Sequence, residues 1–438
     1  MIQTTNKIDK RVVQTLAYRN TCGISLVNVL WYGGTLFEQP SFFIYIIIYL
    51  RKGTNKMIYF DHAASSYPKP DSVAHAMHEA VSSYSANPGR GGHKLAERAR
   101  SVINEARKTI ASFFNAPSSK HVWFYQNATM ALNQALLGFP FEEGDHVVAT
   151  KFEHNSIIRP LERLVIEKKI TVTYVEPNVD GVISVDAMKK AITNKTRMFA
   201  ISHASNVTGA IVPLREISLL TKEKQIMLLL DASQTAGTIS IDIDRDGIDL
   251  LALAGHKSLL GPQGTGVLVT KGDFDLRPLI VGGTGGASES PFQPLQWPER
   301  YEAGTMNTPG IAGLLAGIKE VEALGLNHIW QHEQALMRLF ISEVQEIENI
   351  KMFGPSDLTN RVAVISLSVN NLDSHELAVI LDEHYDIAVR AGLHCAPKAH
   401  ETLETSEKGL VRVSFGPYNT KKEVERLIEA LKEISLAF

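Results

Sequence analysis

The stretch Gln225-Ile-Met-Leu-Leu-Leu-Asp231-Ala-Ser-Gln234, at residues 225–234, decides the fold. Its five consecutive apolar residues predict a short strand buried on both faces, as in the interior of a parallel sheet. Asp231 follows directly, so we expect its carboxylate at the C-terminal edge of the sheet, where open α/β folds bind ligands. An Asp at a strand end is more often a turn or cap residue, so this stretch alone predicts the sheet but no site.

Similar apolar runs recur on both sides of this stretch, and most of them are separated by helix-length segments such as 156–168 and 185–192. The runs lie at residues 122–125, 147–149, 170–175, 197–201, 250–253 and 266–269. This alternation predicts an α/β layer structure with a mostly parallel sheet in a large domain.

After residue 310 the pattern becomes that of a smaller α+β domain. It predicts helices at 311–323, 330–347, 374–384 and 421–434, an alternating segment at 361–369 and a strand at 410–415. We therefore expect a large domain at 57–309, whose first segment joins the smaller domain, and a small C-terminal domain at 310–438.

Composition excludes several classes of function. The 438 residues are 44% apolar and 21% charged, which is ordinary for a globular protein, and the net charge of -3 leaves no basic field to attract nucleic acid. Cys22 and Cys395 are the two cysteines of the sequence, and neither belongs to a C-x-x-C pair. We therefore expect neither a disulfide framework nor a metal site, and we expect a cytoplasmic location.

Residues 1–56 differ from the rest of the chain. Basic residues outnumber acidic ones seven to two, and the segment ends in the aromatic and β-branched run 41–50. Ten residues are too few for a membrane-spanning helix, which needs about 20. The segment is either an appended tail or lies upstream of a natural start at Met57. Met57-Ile-Tyr-Phe-Asp61 resembles the opening strand of a compact enzyme, which favours the second interpretation.

A lysine follows another buried strand. The apolar run 250–253 leads into Ala254-Gly255-His256-Lys257 and a glycine-rich segment. A lysine at such a position can be desolvated, which lowers its pKa and favours imine formation, although a lone lysine there is usually a solvated loop residue. Together with Asp231, Lys257 fits binding of pyridoxal 5′-phosphate (PLP), because a carboxylate holds the pyridinium nitrogen and a lysine carries the aldehyde.

Two further strand ends carry compatible groups. Asn127-Ala128-Thr129 precedes a helix that is expected to start near Met130. The backbone N–H groups at the start of this helix, together with the Thr129 hydroxyl, would bind a phosphate. A simple helix cap by Asn127 or Thr129 is the alternative. His154 follows the strand at 147–149 and could stack on a flat ring or move protons, although one of 15 histidines is more often incidental.

At this point the sequence resembles a known family. Asp231-Ala-Ser-Gln234, Ala254-Gly-His-Lys257 and Tyr301-Glu-Ala-Gly-Thr305-Met-Asn-Thr-Pro resemble the class V aminotransferase-fold PLP enzymes, and within them the cysteine desulfurase and selenocysteine lyase branch. The resemblance runs from Met57 to the C-terminus. It implies the PLP-dependent transferase fold type I, with a mostly parallel seven-stranded sheet in the large domain.

The resemblance also implies roles for residues around the cofactor. Lys257 forms the Schiff base, and Asp231 pairs with the pyridine nitrogen. His154 stacks on the ring and assists proton transfer. Ala128 and Thr129 bind the phosphate, and His256 lies beside them. Gln234 contacts the ring hydroxyl, and Asn206 lies near the cofactor oxygen and the substrate. Ala254 replaces a common Ser or Thr, so one phosphate hydrogen bond is expected to be missing.

Other implied roles concern the substrate and the partner subunit. Thr305 reaches the phosphate of the neighbouring subunit, so the resemblance implies a homodimer with shared sites. Arg412 clamps the substrate carboxylate, for which a bidentate guanidinium is well shaped. His93, in Asn87-Pro-Gly-Arg90-Gly-Gly-His93, approaches the substrate.

The segment Val389-Arg390-Ala-Gly-Leu-His394-Cys395-Ala-Pro397 distinguishes members of the family. In desulfurases an Arg-x-Gly-x-His-Cys loop holds the sulfur-accepting cysteine, and Cys395 falls on that position. A free cysteine is more often a small buried hydrophobic residue, but the positive charge of Arg390 nearby favours the thiolate of Cys395. Arg390 is also expected to contact the substrate. The short interval from Cys395 to Arg412 resembles the group II desulfurases, whose activity is low until an acceptor protein takes the persulfide.

The reaction that this resemblance implies converts L-cysteine to L-alanine and leaves a persulfide on Cys395. Three alternatives remain open. The chain could be a selenocysteine lyase acting on L-selenocysteine, or an aminotransferase or epimerase in which Cys395 is structural. The third is a sulfur-relay or binding protein without turnover, membrane-associated through residues 41–50.

Overall fold

The computed structural model describes residues 13–20, 23–30, 57–89, 91–285 and 289–438. The chain divides into two compact units, Met1–Asn55 and Lys56–Phe438. In the first unit, strands β1 (Val13–Asn20) and β2 (Gly23–Leu30) pair antiparallel. Cys22 and the run at 41–50 lie outside the described residues. Within the part that the structure describes, no helix has the length and hydropathy needed to cross a membrane.

The second unit contains the remaining elements, numbered here in chain order. Its strands are β3 (Ile58–Tyr59), β4 (Val122–Tyr125), β5 (His146–Thr150), β6 (Thr171–Val175), β7 (Thr196–Ser202), β8 (Met227–Asp231), β9 (Leu250–Ala254), β10 (Gly266–Thr270), β11 (Ile350–Phe353), β12 (Val364–Val369), β13 (Ile387–Ala388), β14 (Arg390–Gly392) and β15 (Leu410–Ser414). Its α-helices are α1 (Asp71–Ser83), α2 (Lys94–Phe113), α3 (Ala128–Gly138), α4 (Asn155–Lys168), α5 (Val185–Lys190), α6 (Leu214–Lys224), α7 (Thr308–Leu324), α8 (Leu326–Val344), α9 (Ser374–Tyr385), α10 (Pro397–Thr402) and α11 (Lys421–Ala437). Short 3₁₀ helices occupy Ser119–His121, Glu299–Tyr301 and Leu358–Asn360.

Seven strands form one sheet in the order β4-β10-β9-β8-β7-β5-β6. Neighbours from β9 to β6 run parallel, whereas β10 is antiparallel to both β9 and β4. This confirms the predicted fold class: a mostly parallel, seven-stranded sheet with helices packed against it.

Both faces of this sheet are buried, because successive apolar residues of its central strands enter different cores. Leu228 of β8 belongs to one hydrophobic cluster and Leu229 to the other, and Leu251 and Leu250 of β9 divide in the same way. This explains why the strands read as continuous apolar runs. Strand β6 lies at an edge of the sheet, and its residues alternate between exposed and partly buried positions instead.

A second sheet, in the order β11-β12-β15-β14, lies in the C-terminal part of the chain. Its inner residues pack with apolar residues of α8, α9 and α11 in a separate core that also contains Phe60. Strand β3 pairs in parallel with β13, so the beginning of the second unit meets its C-terminal part. The domain division at residues 309 and 310 remains a prediction.

The parallel arrangement places the carboxyl ends of β5, β7, β8 and β9 at one edge of the large sheet. Helix α3 begins beside that edge at Ala128, two residues before the predicted start near Met130. The reason is the cap: the side chain of Asn127 accepts a hydrogen bond from the Met130 amide at 2.9 Å.

Candidate active site

A cavity of about 230 Å³ lies at this edge of the sheet, closed on one side by the segment that carries Cys395. The structure brings eleven of the predicted site residues to its wall: Ala128, Thr129, His154, Asn206, Asp231, Gln234, His256, Lys257, Arg390, Cys395 and Arg412.

Two predicted residues lie elsewhere. His93 is exposed and caps α2, where its Nδ1 accepts a hydrogen bond from the Ala96 amide at 3.3 Å. Thr305 is exposed and lines two other cavities, of about 160 and 610 Å³. Its role in a neighbouring subunit therefore remains a prediction. Arg90 lies outside the described residues.

Lys257 follows β9 after a two-residue turn, and its ammonium donates no hydrogen bond within the described part of the chain. Burial lowers the pKa of Lys257 from 10.5 to about 8, because the surrounding protein removes water that would stabilise the charge. The nearby carboxylate of Asp231 opposes this shift, and the guanidinium of Arg412 reinforces it. The neutral, nucleophilic amine is therefore far more abundant near neutral pH than for a solvated lysine.

Asp231 is the last residue of β8, and one of its carboxylate oxygens is already held. Oδ1 accepts hydrogen bonds from the amide of Ser233 at 2.9 Å and from its hydroxyl at 2.5 Å. The other oxygen has no hydrogen-bond partner among the described residues. A buried carboxylate fixed in this way can present Oδ2 to an N–H donor in the cavity.

His154 is held in one tautomer by its neighbours. Its Nδ1 accepts a hydrogen bond from the Ser156 amide at 3.0 Å, and burial lowers its pKa to about 4, so the ring is neutral with its hydrogen on Nε2. The Ser156 hydroxyl contacts both Nδ1 of His154, at 2.9 Å, and the Thr129 hydroxyl, at 2.7 Å. Ser156 therefore couples the imidazole to the first turn of α3.

The first turn of α3 offers free donors to the cavity. The Met130 amide is bound by the Asn127 cap, but the amides of Ala128 and Thr129 have no partner within the described part of the chain. First-turn amides cannot bond inside their own helix, and together with the helix dipole they favour an anion. His256 adds an Nδ1 that is buried and unpaired.

Two amide side chains join separate parts of the wall. Asn206 donates to the carbonyl of His394 at 2.7 Å, and Gln234 donates to the carbonyl of Ala63 at 3.0 Å. Each amide keeps a second N–H and its own oxygen. Their predicted cofactor contacts remain compatible with these bonds.

Arg412 is almost completely buried in β15. Its guanidinium donates to the carboxylate of Asp61 at 2.8 Å and to the carbonyl of Asn206 at 3.0 Å, while its Nε is buried without a partner. Burial lowers the pKa of Arg412, and the ion pair with Asp61 counteracts that shift.

Cys395 is exposed at the mouth of the cavity. Both His394 and Cys395 have positive φ angles, of 50° and 58°, so two consecutive residues adopt the left-handed conformation. Two bonds fix this turn: the Asn206 bond to His394, and a bond from the Asn155 amide to the Cys395 carbonyl at 2.8 Å. The Nη2 atom of Arg390 lies 3.8 Å from Sγ.

Sequence reasoning missed three residues that support this site. Glu153 is fully buried and accepts bonds from Thr150 and Ser202, while Ser156 and Asp61 make the contacts given above. Glu153 adjoins His154, and Asp61 lies two residues beyond β3, so both could be noted from the sequence. Their contacts across the chain could not, because Ser202, Thr129 and Arg412 are 49, 27 and 351 positions away from Glu153, Ser156 and Asp61.

The comparisons with known proteins agree with this geometry. The model of the aminotransferase class-V family matches residues 58–427. A probable cysteine desulfurase of Pyrococcus abyssi is 37% identical over 388 residues, which cover 87% of this chain and 95% of the relative. A cysteine desulfurase of Shigella sonnei is 32% identical, with 86% of this chain and 93% of the relative covered.

Solved structures agree as well. The apo structure of cysteine desulfurase from Thermococcus onnurineus NA1 matches with a TM-score of 0.83 and 33% identity, covering 87% of this chain and 95% of that one. The family match spans most of the second unit, and the Pyrococcus relative is covered almost completely. The chain belongs to the aminotransferase class-V family.

Proposed function

We propose that this protein is a PLP-dependent cysteine desulfurase that converts L-cysteine to L-alanine and transfers the sulfur to Cys395 as a persulfide. One observation carries the proposal: Lys257, with its lowered pKa, and Cys395, with Arg390 beside its sulfur, line the same cavity. The relatives that bear this activity in their names match the second unit over most of their length.

The polar groups around the cavity fit the three reactive parts of PLP. The free amides of Ala128 and Thr129 would hold the phosphate, and Oδ2 of Asp231 would hold the protonated pyridine nitrogen. The neutral amine of Lys257 would bind the aldehyde carbon. The unpaired Nδ1 of the buried His256 is explained if a polar group occupies the space beside it.

Bound PLP supplies an electron sink for the bond at the substrate Cα. The protein supplies the rest. Arg412 would bind the substrate carboxylate with the guanidinium edge that Asp61 leaves free. Nζ of Lys257 would be the base that removes the Cα proton, and its pKa, lowered to about 8 by burial, suits that task near neutral pH.

Sulfur transfer uses Cys395 as the nucleophile. Sγ of Cys395, which lies 3.8 Å from Nη2 of Arg390, would attack the sulfur of the bound cysteine and form an S–S bond while the Cβ–S bond breaks. The electron pair of that bond would stay with Cβ, which takes a proton. Nζ of Lys257 would return a proton to Cα, and the carbon skeleton would leave as alanine. The persulfide then remains on an exposed side chain, where an acceptor can reach it.

Several finer features belong to this proposal. We propose a homodimer in which Thr305 serves the neighbouring subunit, a sulfur-acceptor protein that receives the persulfide, and a cytoplasmic location. The exposed position of Thr305 supports the first of these, and the exposed Cys395 supports the second.

The test is an assay of the purified protein with PLP and L-cysteine, measuring alanine and sulfide with and without a thiol reductant. We expect alanine from the wild type and a visible absorbance band from the lysine-bound cofactor. Lys257→Ala should lose the band. Cys395→Ser should keep the band and lose alanine formation, because only the sulfur acceptor has been removed.

Two outcomes would contradict the assignment. Alanine formation at the wild-type rate by Cys395→Ser would refute the nucleophile, and a requirement for a 2-oxo acid would indicate an aminotransferase. Parallel turnover of L-selenocysteine by wild type and Cys395→Ser measures selenocysteine lyase activity. Turnover of L-selenocysteine without turnover of L-cysteine would show that the protein is a selenocysteine lyase and not a cysteine desulfurase.

A further inference from the structure

The segment 61–70, which follows β3, lies against the backbone of the turn that carries Lys257. Ser66 is buried in this segment, and Lys69 is partly buried. Neither residue lines the cavity of the candidate active site. Their bonds nevertheless end on the two carbonyls that flank the Cα atom of Lys257.

The carbonyl of His256 accepts hydrogen bonds from this segment. The Ser66 amide donates to it at 3.0 Å and Nζ of Lys69 at 2.7 Å, and the hydroxyls of Ser65 and Ser66 make longer contacts at 3.3 and 3.4 Å. A carbonyl oxygen has two lone pairs, and the two shorter bonds use both. The peptide group between His256 and Lys257 is thereby fixed in orientation.

The carbonyl of Lys257 is saturated in the same way. It accepts the Leu260 amide at 2.8 Å within the turn and the Ser66 hydroxyl at 2.9 Å. Nζ of Lys69 also contacts this hydroxyl at 2.7 Å, and an ammonium can only donate. The Ser66 hydroxyl therefore donates its one hydrogen to a carbonyl, and the Lys257 carbonyl at 2.9 Å is nearer than the His256 carbonyl at 3.4 Å.

These contacts form one ordered relay, in which the ammonium of Lys69 bonds one carbonyl directly and the other through Ser66. The orientations of the two peptide groups next to a Cα atom determine where its Cβ points. The relay therefore fixes the direction in which the Lys257 side chain leaves the backbone. Burial lowers the pKa of Lys69 to about 8, because the ammonium has lost part of its hydration. The hydrogen bonds of the relay offset part of this desolvation cost.

We propose that Lys69 is a positioning residue which, through Ser66, aims the side chain of Lys257 at the cofactor aldehyde. This inference rests on the proposed binding of PLP at Lys257. It predicts that loss of the Lys69 ammonium slows capture of the cofactor by Lys257 while the protein stays folded.

The experiment mixes cofactor-free protein with PLP and follows the rise of the visible band for wild type, Lys69→Met, Lys69→Arg and Ser66→Ala. We expect Lys69→Met to slow the rise by about tenfold or more, since small misplacements of a reacting group have effects of this size. Lys69→Arg keeps charge and donors and should recover most of the rate. Ser66→Ala keeps the amide bond but breaks the relay, and should be intermediate.

The matched control is Lys319→Met, which removes a lysine whose partner is the exposed Glu105. It should capture PLP at the wild-type rate. Melting temperatures of the cofactor-free variants separate loss of folding from loss of positioning, and Ser66→Ala provides the test if Lys69→Met does not fold. Capture at the wild-type rate by folded Lys69→Met or Ser66→Ala would overturn the inference. Absence of the band in the wild type would instead overturn the proposed function.

Discussion

At the scale of single residues, Lys257 illustrates how position changes chemistry. In water its amine would be protonated up to a pH of 10.5, but burial beside Arg412 and Arg390 lowers the pKa to about 8. In cofactor-free protein the folded state therefore releases a proton near pH 8 that the unfolded chain keeps up to pH 10.5. Since the unfolded state binds more protons at this residue in that window, the contribution of Lys257 to folding stability rises with pH between 8 and 10.5.

The same shift predicts the pH dependence of cofactor capture. Only the neutral amine attacks an aldehyde, so the rate at which wild-type protein captures PLP should rise with pH around a midpoint near 8. Rapid-mixing absorbance from pH 6 to 10 measures this midpoint. A rate still rising tenfold per pH unit from 9 to 10 would show that the amine titrates like a solvated lysine.

Arg412 combines a charge with a fixed planar shape. Asp61 and the carbonyl of Asn206 hold two of its nitrogens, so the remaining edge is oriented before a substrate arrives. A lysine at this position would keep the charge but lose the fork of donors. Replacing Arg412 by lysine should therefore weaken substrate binding and leave cofactor binding unchanged.

We expect Arg412→Lys to raise KM for L-cysteine by about tenfold or more, corresponding to about 1.4 kcal/mol, and to leave the visible band of bound PLP intact. Steady-state alanine formation and the absorbance spectrum measure the two effects. Arg426→Lys, which changes an arginine in an i,i+3 pair with Glu429, is the control. An unchanged KM in Arg412→Lys would remove this residue from the substrate site.

At the scale of elements, apolar pattern and burial correspond closely. The run predicted at 122–125 is strand β4 as observed, because its first three residues are buried and polar residues stand on both sides of the run. Helix ends were less predictable. The helix expected at 330–347 begins at Leu326, where a turn at Gly325 with φ of 81° starts it without a side-chain cap. Its end at Val344 is likewise earlier than the sequence indicated.

Glu153 joins two of these elements. From the loop after β5 its carboxylate accepts the amide and hydroxyl of Ser202, the last residue of β7, and the hydroxyl of Thr150, the last residue of β5. Burial raises the pKa of Glu153 to about 7, although these bonds oppose the shift. Sequence reasoning could place the residue next to His154, but it could not show that the carboxylate connects two strand ends.

Glu153→Ala should lower the free energy of unfolding by about 3 kcal/mol or more, because it leaves several buried donors without an acceptor. Denaturant unfolding of the cofactor-free protein measures the change. Glu167→Ala removes an exposed carboxylate that pairs with Arg163 on α4, and should cost less than about 1 kcal/mol. Equal losses in the two variants would show that the Glu153 contacts add nothing to stability.

At the scale of the whole molecule, the site depends on contacts between distant parts of the chain. Asp61 and Arg412 are 351 positions apart, and the Ser66 bond to Lys257 spans 191. The strand-end residues Asp231 and Lys257 were predictable, because parallel strands of one sheet end at a common edge. The long-range pairs were not, since no local pattern encodes the partner of a single polar side chain.

The proposed dimer gives a prediction at this scale. If Thr305 serves the neighbouring subunit, a mixed dimer of a Lys257→Ala protomer and a Thr305→Val protomer has one site with both changes and one with neither. Refolding or coexpressing the two inactive variants should then restore activity to about half of the wild-type value per dimer. Mixtures that stay as inactive as the separate variants would place Thr305 outside the partner's site. Light scattering checks that dimers form.

The pairing of β3 with β13 has a consequence for biosynthesis. Among the described residues, Ile58–Tyr59 has no strand partner other than Ile387–Ala388. A nascent chain emerging from the ribosome can complete the large sheet once Thr270 has appeared, but the segment that leads to Asp61 stays undocked until translation is nearly finished. The ion pair between Asp61 and Arg412, and with it the wall of the candidate active site, is therefore completed only after residue 412 has been synthesised.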